Sequence, residues 1–255
     1  MNKNTDPALT HIGTAALITG ASRGLGRALA TALARGGARV ALVSRDATAL
    51  NDVVAGLRSE GLDAHAVVGD VAVKRSIHKI AGAAAALVGP IDLLINNASS
   101  LGPVPLRPLV DTECESLEET LATNVVGPFR LSKVIVGSML LRRSGIVVNV
   151  SSDAAVAAYA NWGAYSASKA AADHLTRIWG EELKGSGVNV VAVDPGEMRT
   201  QMHKDALPAA DESTLQEPRD VAARILSLIQ SIKAGAVANG ARLEASAFAN
   251  TEVRS

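Results

Sequence analysis

Aromatic side chains are almost missing from this chain: two Trp, two Tyr and two Phe make up 2% of 255 residues. The core must therefore come from aliphatic surface, and the abundant alanines let helices lie close against a sheet. Cysteine is nearly absent too. Cys114 stands alone, so an internal disulfide is excluded and a reducing compartment is expected. Neither sign of charge is in excess, with 25 Lys and Arg against 25 Asp and Glu. Such a balance offers no general attraction to nucleic acid or an acidic membrane. The best uncharged apolar run, Ile80 to Ile91, is too short to cross a bilayer and is broken by Gly82, Gly89 and Pro90. The five histidines, His11, His65, His78, His174 and His203, fall in no ligand cluster, so no metal is expected. The first dozen residues, through Ile12, lack the apolar core of a secretory signal and read as a flexible lead-in. A cytoplasmic protein is the expectation.

What is present is 48% hydrophobic residues in a repeating arrangement. Short continuous apolar runs at Ala15–Thr19, Arg39–Val43, Ala64–Val68, Leu93–Ile95, Ile146–Val150 and Val188–Val193 predict strands buried on both faces. Helical segments separate them, around Leu25–Arg35, Thr48–Glu60, Lys74–Leu87, Glu113–Leu141 and Tyr165–Leu183. Thr112 and Glu115 have the spacing of a capping box opening the Glu113 segment. After the sixth strand come a loop from Glu197 to Pro218, a helix near Arg219–Ser231 and a last strand near Arg242–Ala245. With no linker and no repeat, the alternation predicts one α/β domain over residues 1–255, a doubly wound parallel sheet with helices on both faces.

The first strand runs into a helix through Thr-Gly-x-x-x-Gly-x-Gly, with Gly20, Gly24 and Gly26. Glycines there let the backbone approach a pyrophosphate whose charge the helix N-terminus stabilises. Ser22, Arg23 and Leu25 lie within the same loop. An NAD site usually ends its second strand on a carboxylate, but this one ends on Val43-Ser44-Arg45. Arg45, with Arg23, offers a guanidinium to a 2'-phosphate. Each arginine alone reads equally as a surface charge; together they favour NADPH over NADH. Farther along, Tyr165 and Lys169 share a helix face thirteen residues beyond Ser152. A nearby cation lowers a phenol's pKa, and moving it from about 10 to about 7 takes about 4 kcal/mol.

Taken with Asp70-Val71, Asn96-Asn97-Ala98, Asn124 and Pro195-Gly196, these motifs make the chain resemble the short-chain dehydrogenase/reductase family, from about Ala15 to Ser231. The resemblance implies a seven-stranded Rossmann sheet, hydride transfer between NAD(P) and an alcohol or carbonyl, and a homodimer or homotetramer. It implies that Asp70 contacts the adenine with Val71 beside it, and that Asn97 and Ala98 border the cofactor ribose. Pro195, Gly196, Met198 and Thr200 lie at the nicotinamide end, and Lys169 holds its ribose. Tyr165 is then the general acid/base, Ser152 the hydrogen-bond donor to the reacting oxygen, and Asn124 the holder of a water beside Lys169. The spacing to Tyr165 selects Ser152 over Ser151. Tyr159 and Trp162 read equally as pocket lining and as packing, and His203 as a surface residue or a substrate contact. Two departures stand out: Ser99 replaces the family's glycine after Asn-Asn-Ala, and the tail from Gly240 lacks the usual Val-Asp-Gly-Gly. The expected activity is an NADPH-dependent carbonyl reductase. The alternatives are a non-catalytic NAD(P)-sensing protein and a sugar-nucleotide epimerase, the latter needing a larger C-terminal region than this chain has.

Overall fold

A computed structural model describes residue 11 and residues 13–248. Most of the expected lead-in and the last seven residues lie outside the described residues. His11 itself is buried, with its amide bonded to the Gly36 carbonyl.

The strands are β1 (Ala15–Thr19), β2 (Arg39–Ser44), β3 (Ala64–Val68), β4 (Leu93–Asn96), β5 (Gly145–Val150), β6 (Val188–Asp194) and β7 (Arg242–Glu244). They form one parallel sheet of order β3-β2-β1-β4-β5-β6-β7. Alternate strand residues feed two cores. Ala16, Ile18, Val40, Leu42 and Val148 pack on one side with helices α1 (Gly24–Arg35), α2 (Ala47–Ser59) and α8 (Pro218–Lys233). Ala15, Leu17, Ala41, Val43 and Val147 pack on the other with α3 (Lys74–Val88) and α5 (Gly127–Arg142). Burial on both faces is why the strands read as continuous rather than alternating apolar runs.

The remaining helices are α4 (Cys114–Leu121), α6 (Gly163–Glu182) and α7 (Gln201–Ala206). Three local expectations are corrected. The Thr112 capping box does not form: its hydroxyl bonds back to the Pro108 carbonyl, and no side chain caps the start of α4. The Glu113–Leu141 helix is interrupted at Ala122–Val126 by a π turn, in which the Gly127 amide reaches the Ala122 carbonyl. The expected loop after β6 contains α7, capped by the Thr200 hydroxyl, and a short 3-10 turn at Glu212–Thr214.

Strand order reverses between β1 and β4, which both neighbour each other and lead to opposite halves of the sheet. Ligands of doubly wound sheets bind outside the carboxyl ends of the strands at such a point.

Candidate active site

The carboxyl ends of β1 to β6 open on one cleft of about 1020 Å³. Gly20, Ser22, Arg23, Gly24 and Leu25 line it after β1, Ser44 and Arg45 after β2, and Asp70 and Val71 after β3. Asn97 and Ala98 enter after β4, Ser152 after β5, and Pro195, Gly196, Met198 and Thr200 after β6; Tyr165 and Lys169 close the wall from α6. Of the residues given a catalytic or cofactor-binding role in the sequence, two do not line it, Gly26 and Asn124.

Gly26 acts behind the surface. A Cβ there would overlap the Gly20 carbonyl oxygen and the Asn97 amide nitrogen. Its absence lets α1 press against the turn. Gly20 itself has φ 67° and lies against Ala98, which only glycine accepts without strain. Asn97 stitches the ends of β1 and β4: its amide donates to the Thr19 and Gly20 carbonyls at 2.9 and 3.2 Å, and the Thr19 hydroxyl accepts from the Asn97 and Ala98 amides at 3.0 Å. No side chain caps α1 and its first turn carries no carboxylate. Its amide groups therefore suit a phosphate.

Toward β2, the Ser22 and Ser44 hydroxyls lie 3.0 Å apart. Arg45 is mostly exposed, 4.0 Å from an Asp70 oxygen, while Asp70 also accepts from the Ala72 amide at 2.9 Å. Two charged residues lining this end went unnoticed in the sequence. Arg27 adds a third arginine beside Arg23 and Arg45, and Asp46 brings a carboxylate one residue beyond Arg45. One Asp46 oxygen is committed to capping α2 through the Ala49 amide.

At the other end Tyr165 is buried, with Trp162 packed edge-on at 5.7 Å between ring centroids and Tyr159 in turn on Trp162 at 6.4 Å. Leu101, Met202 and Ala206 complete an apolar wall around the phenol. Ser152, not Ser151, is its hydroxyl neighbour, together with Ser99; the Ser151 hydroxyl is buried without a partner. Ser152 donates to Asp153 at 2.9 Å and accepts from the Ala154 amide at 3.2 Å. Asp153 also accepts from the Tyr159 hydroxyl at 2.8 Å, so a carboxylate that the sequence reading passed over borders the site. His203 sits on the cleft wall, with Nε2 3.8 Å from Glu197.

The electrostatics correct one expectation. Lys169 lies with its ammonium 5.5 Å from the Tyr165 ring centroid and donates to the Val150 carbonyl at 2.8 Å. Burial lowers its pKa to about 8, opposed by Asp173 and Asp194. The phenol is not depressed. Burial pushes it up to about 12, with Asp153 and Asp194 adding to the rise and the Ser152 and Ser99 hydroxyls opposing it. Burial is the largest influence on the phenol, because removing it from water penalises the phenolate.

Asn124 holds the frame from behind. Its Oδ1 accepts from the Ser100 amide at 2.8 Å and the Ser99 hydroxyl at 3.2 Å, and its Nδ2 donates to the Ser100 carbonyl at 2.8 Å and the Ser168 hydroxyl at 2.9 Å. Both donors and both lone pairs of the amide are engaged.

No group of three or more His, Cys, Asp or Glu arranged to hold a metal occurs among the described residues. A doubly wound sheet with a glycine-turn anion site at its switch point, and a half-buried serine beside a buried tyrosine beyond it, defines a dinucleotide-dependent oxidoreductase. Residues 14–211 match the short chain dehydrogenase family, and the chain belongs to it. It is 38% identical over 190 residues to the 2,3-dihydro-2,3-dihydroxybenzoate dehydrogenase of Bacillus subtilis, covering 74% of this chain and 72% of that one. A short chain dehydrogenase from Shigella flexneri, complexed with NADP, superposes with a TM-score of 0.84 at 27% identity, over 94% of this chain and 99% of that one. A 7α-hydroxysteroid dehydrogenase complexed with NADH and 7-oxo glycochenodeoxycholic acid does so at 0.84 and 28% identity, over 94% and 95%. The protein is therefore an NAD(P)(H)-dependent oxidoreductase acting on alcohol or carbonyl substrates.

Proposed function

We propose that the protein is an NADPH-preferring carbonyl reductase in which Tyr165 is the general acid. The observation that carries this reading is the convergence on one cleft wall of the Ser152 hydroxyl, the buried Tyr165 phenol and Lys169, one helical turn further on. When bound, the nicotinamide supplies a hydride to the carbonyl carbon. Tyr165 gives its proton to the carbonyl oxygen, and Ser152 turns its hydroxyl from Asp153 to the same oxygen, stabilising the developing negative charge. The phenol carries the proton that this step needs, although its raised pKa makes it a weaker acid than a free phenol. Lys169, fixed by the Val150 carbonyl, binds the nicotinamide ribose, and Asn124 orders the segment from Ser99 to Leu101. Gly20, Ser22, Gly24 and Leu25 cradle the pyrophosphate, while Asp70, Val71, Asn97 and Ala98 flank the adenosine half. Pro195, Gly196, Met198 and Thr200 cover the nicotinamide. The apolar wall of Leu101, Trp162, Met202 and Ala206 favours a carbonyl with a hydrocarbon substituent.

Arg23 and Arg45 support the NADPH preference, and Asp46, bound in its cap, does not oppose it. Residues 1–255 act as a single dinucleotide-binding domain, a reading that the one continuous sheet supports. One exposed cysteine and the lack of a helix long and apolar enough to cross a membrane among the described residues favour the cytoplasm. NADPH oxidation across ketones, aldehydes and acyl thioesters tests the activity. Tyr165→Phe should reduce turnover of any accepted substrate at least about 100-fold, the scale of a lost general acid, while NADPH still binds. Unchanged turnover would remove Tyr165 from the reaction.

A further inference from the structure

Three separate segments carry the candidate site: the end of β5 with Ser152, the turn after β6 with Gly196, and α6 with Tyr165 and Lys169. One guanidinium touches all three. Arg242, the first residue of β7, donates from Nε to Asp173 at 3.0 Å, and from a terminal nitrogen to Asp194 and to the Ser152 carbonyl, both at 2.8 Å. Asp173 lies four residues beyond Lys169, on the same face of α6. The second oxygen of Asp194 accepts the Gly196 amide at 3.0 Å and so sets the Pro195-Gly196 turn. The side chains of Arg242, Asp173 and Asp194 are 15%, 6% and 9% exposed.

Buried charges of this kind contribute little net stability, because desolvation offsets their attraction. Their placement directly behind the reacting groups asks for another role. We propose that Arg242 is a positioning residue of the reaction, locking the Ser152 segment, the Gly196 turn and the Lys169 helix into one frame and neutralising Asp173 and Asp194 behind them. This rests on the acid/base role given to Tyr165 above.

The charged groups facing Tyr165 and Lys169 come from every neighbouring element: Asp153 from the turn after β5, Asp173 from α6, Asp194 from β6 and Arg242 from β7. Glu197 and His203 lie farther along the cleft, and the segment after β4 contributes only the uncharged Ser99. Asp153 and Asp194 both hold the proton on the phenol. Removing Arg242 unmasks the charge of Asp194 and must raise the phenol's pKa. Removing the charge of Asp194 must lower it. A residue that served only to hold the fold together would not move the two in opposite directions.

The chain contains only Tyr159 and Tyr165. In a Tyr159→Phe background, 13C labelling of the tyrosine Cζ therefore reports Tyr165 alone, and its resonance is titrated with and without saturating NADP. Asp194→Asn should titrate about one pH unit below the background protein and Arg242→Met about one unit above it or past the accessible range, the scale of one nearby charge in a partly dry site. Arg242→Lys, which keeps the charge but cannot reach all three acceptors, should fall between Arg242→Met and the background. Coincident titrations, or shifts of the same sign in Asp194→Asn and Arg242→Met, overturn the proposal. Should Arg242→Met not fold, Asp194→Asn decides alone, and an unmoved or upward titration there overturns it. The measurement needs no turnover, so its failure is distinct from failure of the proposed function, which the Tyr165→Phe comparison tests.

Discussion

Tyr165 and Lys169 show how far two residues' chemistry depends on their surroundings rather than on their spacing along a helix. The ammonium is close, yet it is committed to the Val150 carbonyl, and burial raises the phenol instead of lowering it. The phenol therefore stays protonated at neutral pH, and passing its proton to a substrate has to work against that raised pKa. At the opposite end of the cleft, cofactor choice also rests on single side chains. Arg45 is exposed and only loosely paired with Asp70, which leaves its guanidinium available to a phosphate. Arg45→Ala should weaken NADPH binding about tenfold or more, in line with the loss of a charge-assisted contact of about 1.5–3 kcal/mol, and leave NADH binding nearly unchanged. Fluorescence titration of both nucleotides checks this, and equal losses would refute the preference.

Among the elements, the π turn between α4 and α5 does the least expected work. One extra residue in the helical turn is a device often found at functional sites. Here it accompanies Asn124, whose amide ties the Ser99–Ser100 segment to Ser168 on α6. Asn124→Ala would leave buried partners unsatisfied. It should lower unfolding free energy by about 2–4 kcal/mol, read as a lower urea midpoint with an unchanged slope. A midpoint within error of the parent would show that these bonds are replaced. Ser99, where the family has glycine, belongs to this network and also faces the phenol. The substitution thus adds a hydroxyl to the site rather than only narrowing a backbone passage.

For the whole molecule, an apolar strip is exposed among the described residues. Phe129 and Leu140 are eleven residues apart and so share one face of α5, and Ile178 on α6 is exposed too; Phe129 lies beside Trp179 of α6 at 6.1 Å between ring centroids. Aliphatic and aromatic surface of this kind gains by leaving water, as the homodimer or homotetramer implied by the family resemblance would allow. Light scattering at micromolar concentration should give a mass at least twice 26.1 kDa, and a monomer would reject the assembly.

The order of strands and helices, the glycine turn, and the Ser152, Tyr165 and Lys169 spacing were all contained in the sequence, because each rests on local periodicity or on neighbours along the chain. The parallel sheet follows from that alternation. Other features needed the folded chain. Arg242 is 90 residues from Ser152 and 48 from Asp194, and no local pattern announces such a meeting. Asp153 sits next to Ser152 in the chain, but its bonds to two hydroxyls appear only once Tyr159 folds over it. The Thr112 capping box failed because the hydroxyl finds Pro108 instead. The direction of the phenol's pKa shift was equally out of reach, for burial is a property of the assembled core and a helical spacing contains no dielectric. Sequence placed the reacting groups on their elements; only tertiary packing decided what surrounds them, because charge, water exclusion and hydrogen-bond competition act through space.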